Sequence, residues 1–407
     1  MGYFKSTLRG VSWMAALRFL NRSLGTLRIA ILARLLTPSQ FGVFGIGLLV
    51  LGFLEIATET GINVFLIQER ARLEKYINSA YIVSIFRGFL ISFSIFILAA
   101  PISTFFNTPE AYSLLILTSF IPLIRGFVNP AVVKFQKNLE FNKEFIKESF
   151  LFILETVVAI VVGVATRNEK SLIVAMLVVA IVEVAISFLF IKPRPKLKFE
   201  RELIQKVINR GKWVTGSGIL DYIFTHFDDV VVGKILGPFY LGLYQNAYKI
   251  SSLLVIETER VFNKVTFPVY ITISADKKRL SAAFFKTTAV ISLGVIVLGL
   301  ILIVFSEEII LLVLGEPWLE AKEVLKVLTI FGVLRAISNS TFSLFLAQKK
   351  QELVVLITFV STLGLVLTIF PLVQKYALLG AAYSTIIGTL VSLPLSVYFL
   401  RKVFTKK

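Results

Sequence analysis

Nearly uncharged apolar runs, long enough to cross a lipid bilayer, recur along all 407 residues and limit the fold more than any motif does. Inside hydrocarbon every backbone N–H and C=O must find a partner within the protein, so such runs read as transmembrane helices. We read twelve spans, at 11–36, 41–67, 79–102, 110–133, 145–166, 171–191, 213–236, 240–268, 282–306, 320–346, 352–373 and 377–400. Each exceeds the ~20 residues that a hydrocarbon core of about 30 Å requires. A hydrophobic share of 56% and a mean hydropathy of +0.83 fit a polytopic membrane protein and no soluble class.

Charge then sets the orientation. A formal charge of +18 would suggest a nucleic-acid partner in a soluble chain. Here one set of connections (1–10, 69–78, 134–147, 192–212, 275–286, 348–352 and 401–407) holds 27 Lys and Arg, and the alternate set holds 3. That asymmetry predicts both termini and the 192–212 segment in the cytoplasm and accounts for the positive charge with no nucleic acid bound. The run Lys192-Pro193-Arg194-Pro195-Lys196-Leu197-Lys198 is a domain joint, read as a topology signal or as a clamp for lipid headgroups.

A second pattern divides the chain. ARLLTPSQFGVF (33–44) aligns without a gap to GKILGPFYLGLY (233–244), pairing Pro38 with Pro238 and Gly42 with Gly242. The same offset pairs Trp13 with Trp213, Thr58-Glu59 with Thr258-Glu259, and Asn63 with Asn263. A constant spacing of this kind signals a duplicated unit. We therefore expect an N-terminal six-helix bundle over 1–191, a basic linker over 192–212 and a C-terminal six-helix bundle over 213–407. Six is even, so both bundles enter the membrane in the same sense, as in parallel-repeat transporters.

The residues that carry chemistry are those whose burial costs most. Near a helix centre an Arg costs about 2.5–3.5 kcal/mol to insert. Deep positions are Arg18, Arg22, Arg28, Arg87, Arg125, Lys249, Arg260 and Arg335; the first span alone holds three. Arg18 and Arg22, four apart, share a helix face. Two readings stay open for the first-span arginines. They pair with Glu55, Glu59 or Asp221, or they line an aqueous cavity that takes an anion, for which guanidinium forks suit phosphate oxygens. Glu55, Glu59 and Asn63 line one face of the second span, and Glu259 and Asn263 repeat the pattern. Asp221, Asp228 and Asp229 fall on a polar face of the seventh span. Such carboxylates exchange a proton, bind sodium or act as counter-ions. Glu257, three before Arg260, is read as a counter-ion. Glu155 and Glu183, alone in their spans, are expected to make local hydrogen bonds. The Phe89, Phe93 and Phe96 face is read as lipid contact or packing.

Other chemistries are excluded by what is missing. With no cysteine and one histidine, His226, there is neither a disulfide nor a multi-residue thiolate or imidazole metal site. No phosphate-cradling glycine loop or nucleophile elbow occurs, so no cofactor, metal or catalytic residue is expected and the chain reads as a non-enzyme. Asp228-Asp229 looks like the metal pair of membrane glycosyltransferases, but that pair belongs in a surface loop and this one lies in an apolar span.

ARLLTPSQFG (33–42), KFQKNLEFNKE (134–144), DDVVVGKILGPFYLGLYQNAYKI (228–250), FPVY (267–270) and LGEPWLEA (314–321) resemble segments of the Wzx-type polysaccharide flippases. These belong to the superfamily shared with multidrug and toxin extruders. The resemblance implies two bundles in a V, alternating access, and movement of undecaprenyl-diphosphate-linked oligosaccharides from the inner to the outer leaflet. It makes Arg18, Arg22, Arg28, Lys249, Arg260 and Arg335 candidates for holding the diphosphate. Glu55, Glu59, Asp221, Asp228, Asp229 and Glu259 become candidates for coupling a proton or sodium ion, or for counter-ions. The implied state is a monomer among membrane lipids and polysaccharide-assembly proteins. A cation-coupled multidrug extruder, or a membrane-embedded polysaccharide polymerase or ligase, are the alternatives. A polymerase or ligase needs a sizeable outward loop with catalytic groups, and the longest outward connection, 306–320, has no Lys or Arg.

Overall fold

The computed structural model describes residues 3–68, 74–198, 218–219, 222–223, 225–274 and 276–405. Every regular element among them is helical. In the first part of the chain these are α1 (Tyr3–Ala33), α2 (Pro38–Ala57), α3 (Ile62–Gln68), α4 (Glu74–Phe105), α5 (Glu110–Arg125), α6 (Lys134–Lys137), α7 (Phe141–Thr166) and α8 (Lys170–Leu189). A helical run over 225–236, α9, precedes α10 (Pro238–Thr272), α11 (Lys277–Val304), α12 (Ser306–Val313), α13 (Lys322–Ala347), α14 (Gln351–Tyr376) and α15 (Leu378–Thr405). Packing divides the chain into two units, Met1–His226 and Phe227–Lys407.

Eight helices among the described residues are long and apolar enough to span a membrane; a ninth is counted if α5 and the 130–137 turn, bent by 70°, form one span. Length is not what sets α1 and α10 apart, at 31 and 35 residues. They carry most of the costly arginines and lysines picked out above, and those charges lower their hydropathy.

The local starts follow from the sequence. Thr37 caps α2: its Oγ1 accepts from Gln40 N–H at 3.3 Å, and Gln40 Oε1 accepts from Thr37 N–H at 2.9 Å. Pro38 sits at the first helical position, where its missing N–H has no partner to lose. Pro238 opens α10 in the same way after Gly237. Two expected spans are interrupted. The span read as 41–67 stops at Ala57 and resumes at Ile62, because Gly61 adopts φ 61, a conformation that glycine enters freely. The span read as 110–133 bends at Gly126–Asn129, where Asn129 Oδ1 caps the following turn through Ala131 N–H. The connection read as 306–320 is ordered too, as α12 and a 3₁₀ turn around the fully buried Trp318. There the Lys322 ammonium, 2.5 Å from Glu307 Oε2, holds that carboxyl below its ordinary value.

Packing uses small residues and self-satisfied hydroxyls, as expected where lipid supplies no hydrophobic drive. Thr118, Thr329 and Ser384 each return their hydroxyl to the carbonyl four residues back. In the second unit α13 packs on α10, α11 and α15. Phe89, Phe93 and Phe96 on α4 are more than half exposed, and Phe89 stacks on Phe93, so that face meets lipid. About a quarter-turn round α4 from that face, Gly88 lies against α5: a Cβ there would stand 2.4 Å from the Pro122 carbonyl oxygen and 2.9 Å from Gly126 Cα. Gly88→Ala should therefore lower the thermal midpoint in detergent, by about 1–3 kcal/mol of stability. Gly294→Ala in α11, whose Cβ would meet nothing within 4 Å, should be neutral or stabilising by about 0.5–1 kcal/mol. Equal effects from the two substitutions would contradict this packing.

Candidate functional site

Along α1 the three arginines differ in kind. Arg18 and Arg22 are exposed, and neither forms an ion pair with a described residue. Arg28, a turn and a half further on, is half-buried and paired with Glu155 of α7, its guanidinium 5.3 Å from the Phe152 ring centre. The expected partners of these arginines were Glu55, Glu59 and Asp221. Arg28 takes Glu155 instead, because α1 packs along α7. Asp221 lies outside the described residues.

Arg87, midway along α4, closes the end of α2. It donates to the Glu55 carbonyl at 2.5 Å, to Thr58 Oγ1 at 3.2 Å and to Glu59 Oε2 at 3.2 Å. A helix C-terminus leaves carbonyls unpaired and partly negative, so a buried guanidinium is well placed there. It is Glu55's backbone, rather than its carboxylate, that Arg87 binds. Glu59 also accepts from Gly61 N–H at 2.9 Å, tying the break after α2 to the same group.

A third cluster joins α5, α7 and α8. Glu183 lies 3.8 Å from Arg125 Nε and 3.6 Å from Lys147 Nζ, and Lys147 also reaches Glu148 at 2.7 Å. At 3.8 Å the Arg125 contact is beyond hydrogen-bond reach and holds by charge alone. Glu59, Arg87, Arg125, Lys147, Glu148 and Glu183 line a polar cavity of about 340 Å³ within the first unit. A neighbouring space of about 280 Å³ reaches Asn21 and Glu155. The local hydrogen bonds expected of Glu155 and Glu183 are thus corrected: both are counter-ions to cations on other helices. Sequence spacing could not find these pairs, since their members stand 127 and 58 positions apart.

The second unit handles its acids differently. Asp228 on α9 is buried; its Oδ2 accepts from Tyr244 Oη at 2.8 Å and its Oδ1 from Asp229 N–H at 3.0 Å. Tyr248, one helical turn along α10, stacks near Tyr244 with ring centres 6.4 Å apart. Its Oη accepts from Arg335 of α13 at 2.9 Å, and that guanidinium lies 5.8 Å from the Phe331 ring centre. A tyrosine ladder therefore connects a buried aspartate to an exposed arginine. Tyr244 and Tyr248 were missed in the sequence, although their four-residue spacing puts them on one helix face. Lys249 is exposed beside them. The side chains of Glu257, Glu259, Arg260 and Asn263 lie outside the described residues. In the first unit the His226 and Tyr222 ring centres lie 4.4 Å apart with the rings tilted by 41°, and Tyr222 Oη donates to the Leu49 carbonyl at 2.8 Å. Among the described residues no three His, Cys, Asp or Glu side chains converge as metal ligands.

The Arg28 pair can be tested by stability alone. Glu155→Gln leaves a cation in low dielectric and should cost about 1–3 kcal/mol, discounted for partial exposure. Arg28→Met with Glu155→Leu should recover most of that loss, because it removes both charges. Thermal midpoints in one detergent decide it; a double variant worse than the single would refute the pairing.

Residues 31–323 match the family described as "Polysaccharide biosynthesis protein". The chain is 28% identical over 400 residues to an uncharacterized membrane protein in the cps region of Klebsiella pneumoniae, covering 97% of this chain and 82% of the relative. It is 25% identical over 357 residues to the lipopolysaccharide biosynthesis protein WzxC of Escherichia coli, covering 87% and 72%. Among solved structures, the lipid II flippase MurJ in an inward closed conformation superposes with a TM-score of 0.73 at 16% identity, over 96% of this chain and 88% of that one. At that identity the likeness speaks for fold. The match over most of the chain does more, and agrees with the resemblance drawn from its motifs: this chain belongs to the polysaccharide biosynthesis protein family of membrane proteins.

Proposed function

We propose that the chain moves polyprenyl-diphosphate-linked oligosaccharide units from the inner to the outer leaflet of the cytoplasmic membrane, with both termini in the cytoplasm. It acts as a transporter and not as an enzyme, in keeping with its family. The observation that carries the anionic cargo is how the charged candidates sort. Arg18, Arg22, Lys249 and Arg335 are exposed, whereas Asp228 is buried and Glu59 is engaged by Arg87. These four cations are presented, while Arg28 is taken up by Glu155 and Asp228 is withdrawn. Such a surface suits a diphosphate, and it disfavours the cationic amphiphiles of a drug extruder.

In this reading the bent α5 pair, α1, α9 and α10 complete twelve spans. The two units are bundles of one duplicated design, a reading supported by the proline that opens both α2 and α10, though Thr37 caps the one through its side chain and Gly237 precedes the other without a side-chain cap. The bundles open alternately to the two sides while the polyprenyl tail stays in lipid. Arg18 and Arg22 are the first unit's candidate diphosphate-binding groups, and Lys249 and Arg335 are the second unit's. Arg28 braces α1 against α7 through Glu155. Asp228, with its Tyr244 partner, is the proton or sodium coupling group, and Glu59 is a second carboxylate open to that role.

Arg18→Gln with Arg22→Gln should insert and fold normally. Losing charged hydrogen bonds of about 1.5–3 kcal/mol each should cut transport of the lipid-linked cargo in proteoliposomes by roughly tenfold or more. Unchanged transport would end the diphosphate reading. Asp228→Asn should abolish any response of the rate to a proton or sodium gradient; a wild-type protein indifferent to both gradients would end the coupling proposal and leave the cargo proposal standing.

A further inference from the structure

Lys134 on α6 and Lys192 and Arg194 beyond α8 converge on a shallow pocket of about 420 Å³ in the first unit, with Glu74 and Pro193 as its other walls. Three cations face one carboxylate. A basic stretch that served only to orient the chain during insertion would need charge and no fixed geometry.

This stretch is fixed. Asn129, fully buried, donates through Nδ2 to the carbonyls of Ser187 at 3.2 Å, Ile191 at 3.3 Å and Pro193 at 3.1 Å. Its backbone N–H donates to Ser187 Oγ at 3.0 Å. Asn78 Oδ1 accepts from Lys196 N–H at 2.7 Å, and Arg194 Nε donates to the Phe188 carbonyl at 2.8 Å. The buried Asn129 amide and the half-buried Asn78 amide thus hold the chain on both sides of Lys192 and Arg194. Beside the cations stand exposed apolar side chains, Leu189 at 66% and Phe190 at 78%. Charge for a headgroup and apolar surface for a tail follow one another in the chain at the end of α8, a helix long and apolar enough to cross a membrane.

We infer that this pocket holds the phosphate headgroup of an anionic phospholipid, with Lys134, Lys192 and Arg194 on its oxygens and Leu189 and Phe190 against its acyl chains. Basic pockets at the ends of spans take such headgroups. The inference needs only that the chain crosses a membrane; it depends on neither the cargo nor the direction of transport. A lipid bound here would tie the segment that leads out of the first unit to one leaflet.

The test uses the full chain in detergent, offered equal amounts of phosphatidylglycerol, cardiolipin and phosphatidylcholine, with retained lipid counted by native mass spectrometry. The wild type should keep anionic over zwitterionic lipid by about tenfold. K134Q/K192Q/R194Q should bring that ratio near one, and a charge-matched control, K278Q/R279Q/K286Q, should leave it in place. Asn129→Ala keeps every cation but releases the segment, and should lose most of the preference; if that variant does not fold, Asn78→Ala serves instead. The inference is overturned if the triple variant retains the ratio, if the control loses as much, or if the asparagine variants bind as wild type does. Displacement of the phospholipid by an equal concentration of polyprenyl diphosphate would also overturn it, by assigning the pocket to the cargo.

Discussion

Taking a cation out of water is the constraint that organises this protein. A guanidinium at bilayer depth persists only with an acceptor supplied by another helix or with access to water. In the first unit that requirement determines which helices must meet. Arg28 meets Glu155 where α1 packs along α7, Arg87 joins α4 to the end of α2, and Glu183 of α8 gathers Arg125 and Lys147. Each pair joins separate helices, and removing one partner would leave the other charge without its acceptor or donor. The polar cavity among them is the space left where charged side chains meet without close packing.

Against that background the unpaired charges gain meaning. Arg18 and Arg22 stand on the same helix as Arg28, yet they remain exposed without a described counter-ion. Had structure been their purpose, a carboxylate opposite would have lowered their cost. The second unit reaches a related end by other means, withdrawing Asp228 behind Tyr244 and leaving Arg335 outward on Tyr248. The Tyr244 hydroxyl donates to Asp228 and satisfies part of that carboxylate within the second unit.

Much of this was legible in the sequence, for physical reasons. Apolar length requires helices, and the Thr37-Pro38 and Gly237-Pro238 punctuation starts α2 and α10 where local chemistry demands. The break after Ala57 falls at Thr58-Glu59-Thr60-Gly61, a short polar stretch between two apolar runs that together have the length of one span. The kink after Arg125 likewise falls inside one expected span. The depth of Arg28, Arg87 and Arg125 could be read along the chain; their partners could not, because pairing is a property of helix packing. Glu155 and Glu183 looked isolated for that reason alone. Tyr244 and Tyr248 escaped because tyrosines in an apolar span resemble ordinary core until the aspartate behind them is seen.

The central claim is that exposed guanidinium groups select a diphosphate. It is tested most directly by calorimetry on the full chain in nanodiscs, comparing a short-chain prenyl diphosphate with the matching prenyl alcohol at low and at high ionic strength. The account predicts that the diphosphate binds at least about 100-fold more tightly, the scale of two charged hydrogen bonds, and that added salt erodes the difference. Equal affinity for the alcohol, or tighter binding of a cationic amphiphile in the same assay, would contradict it.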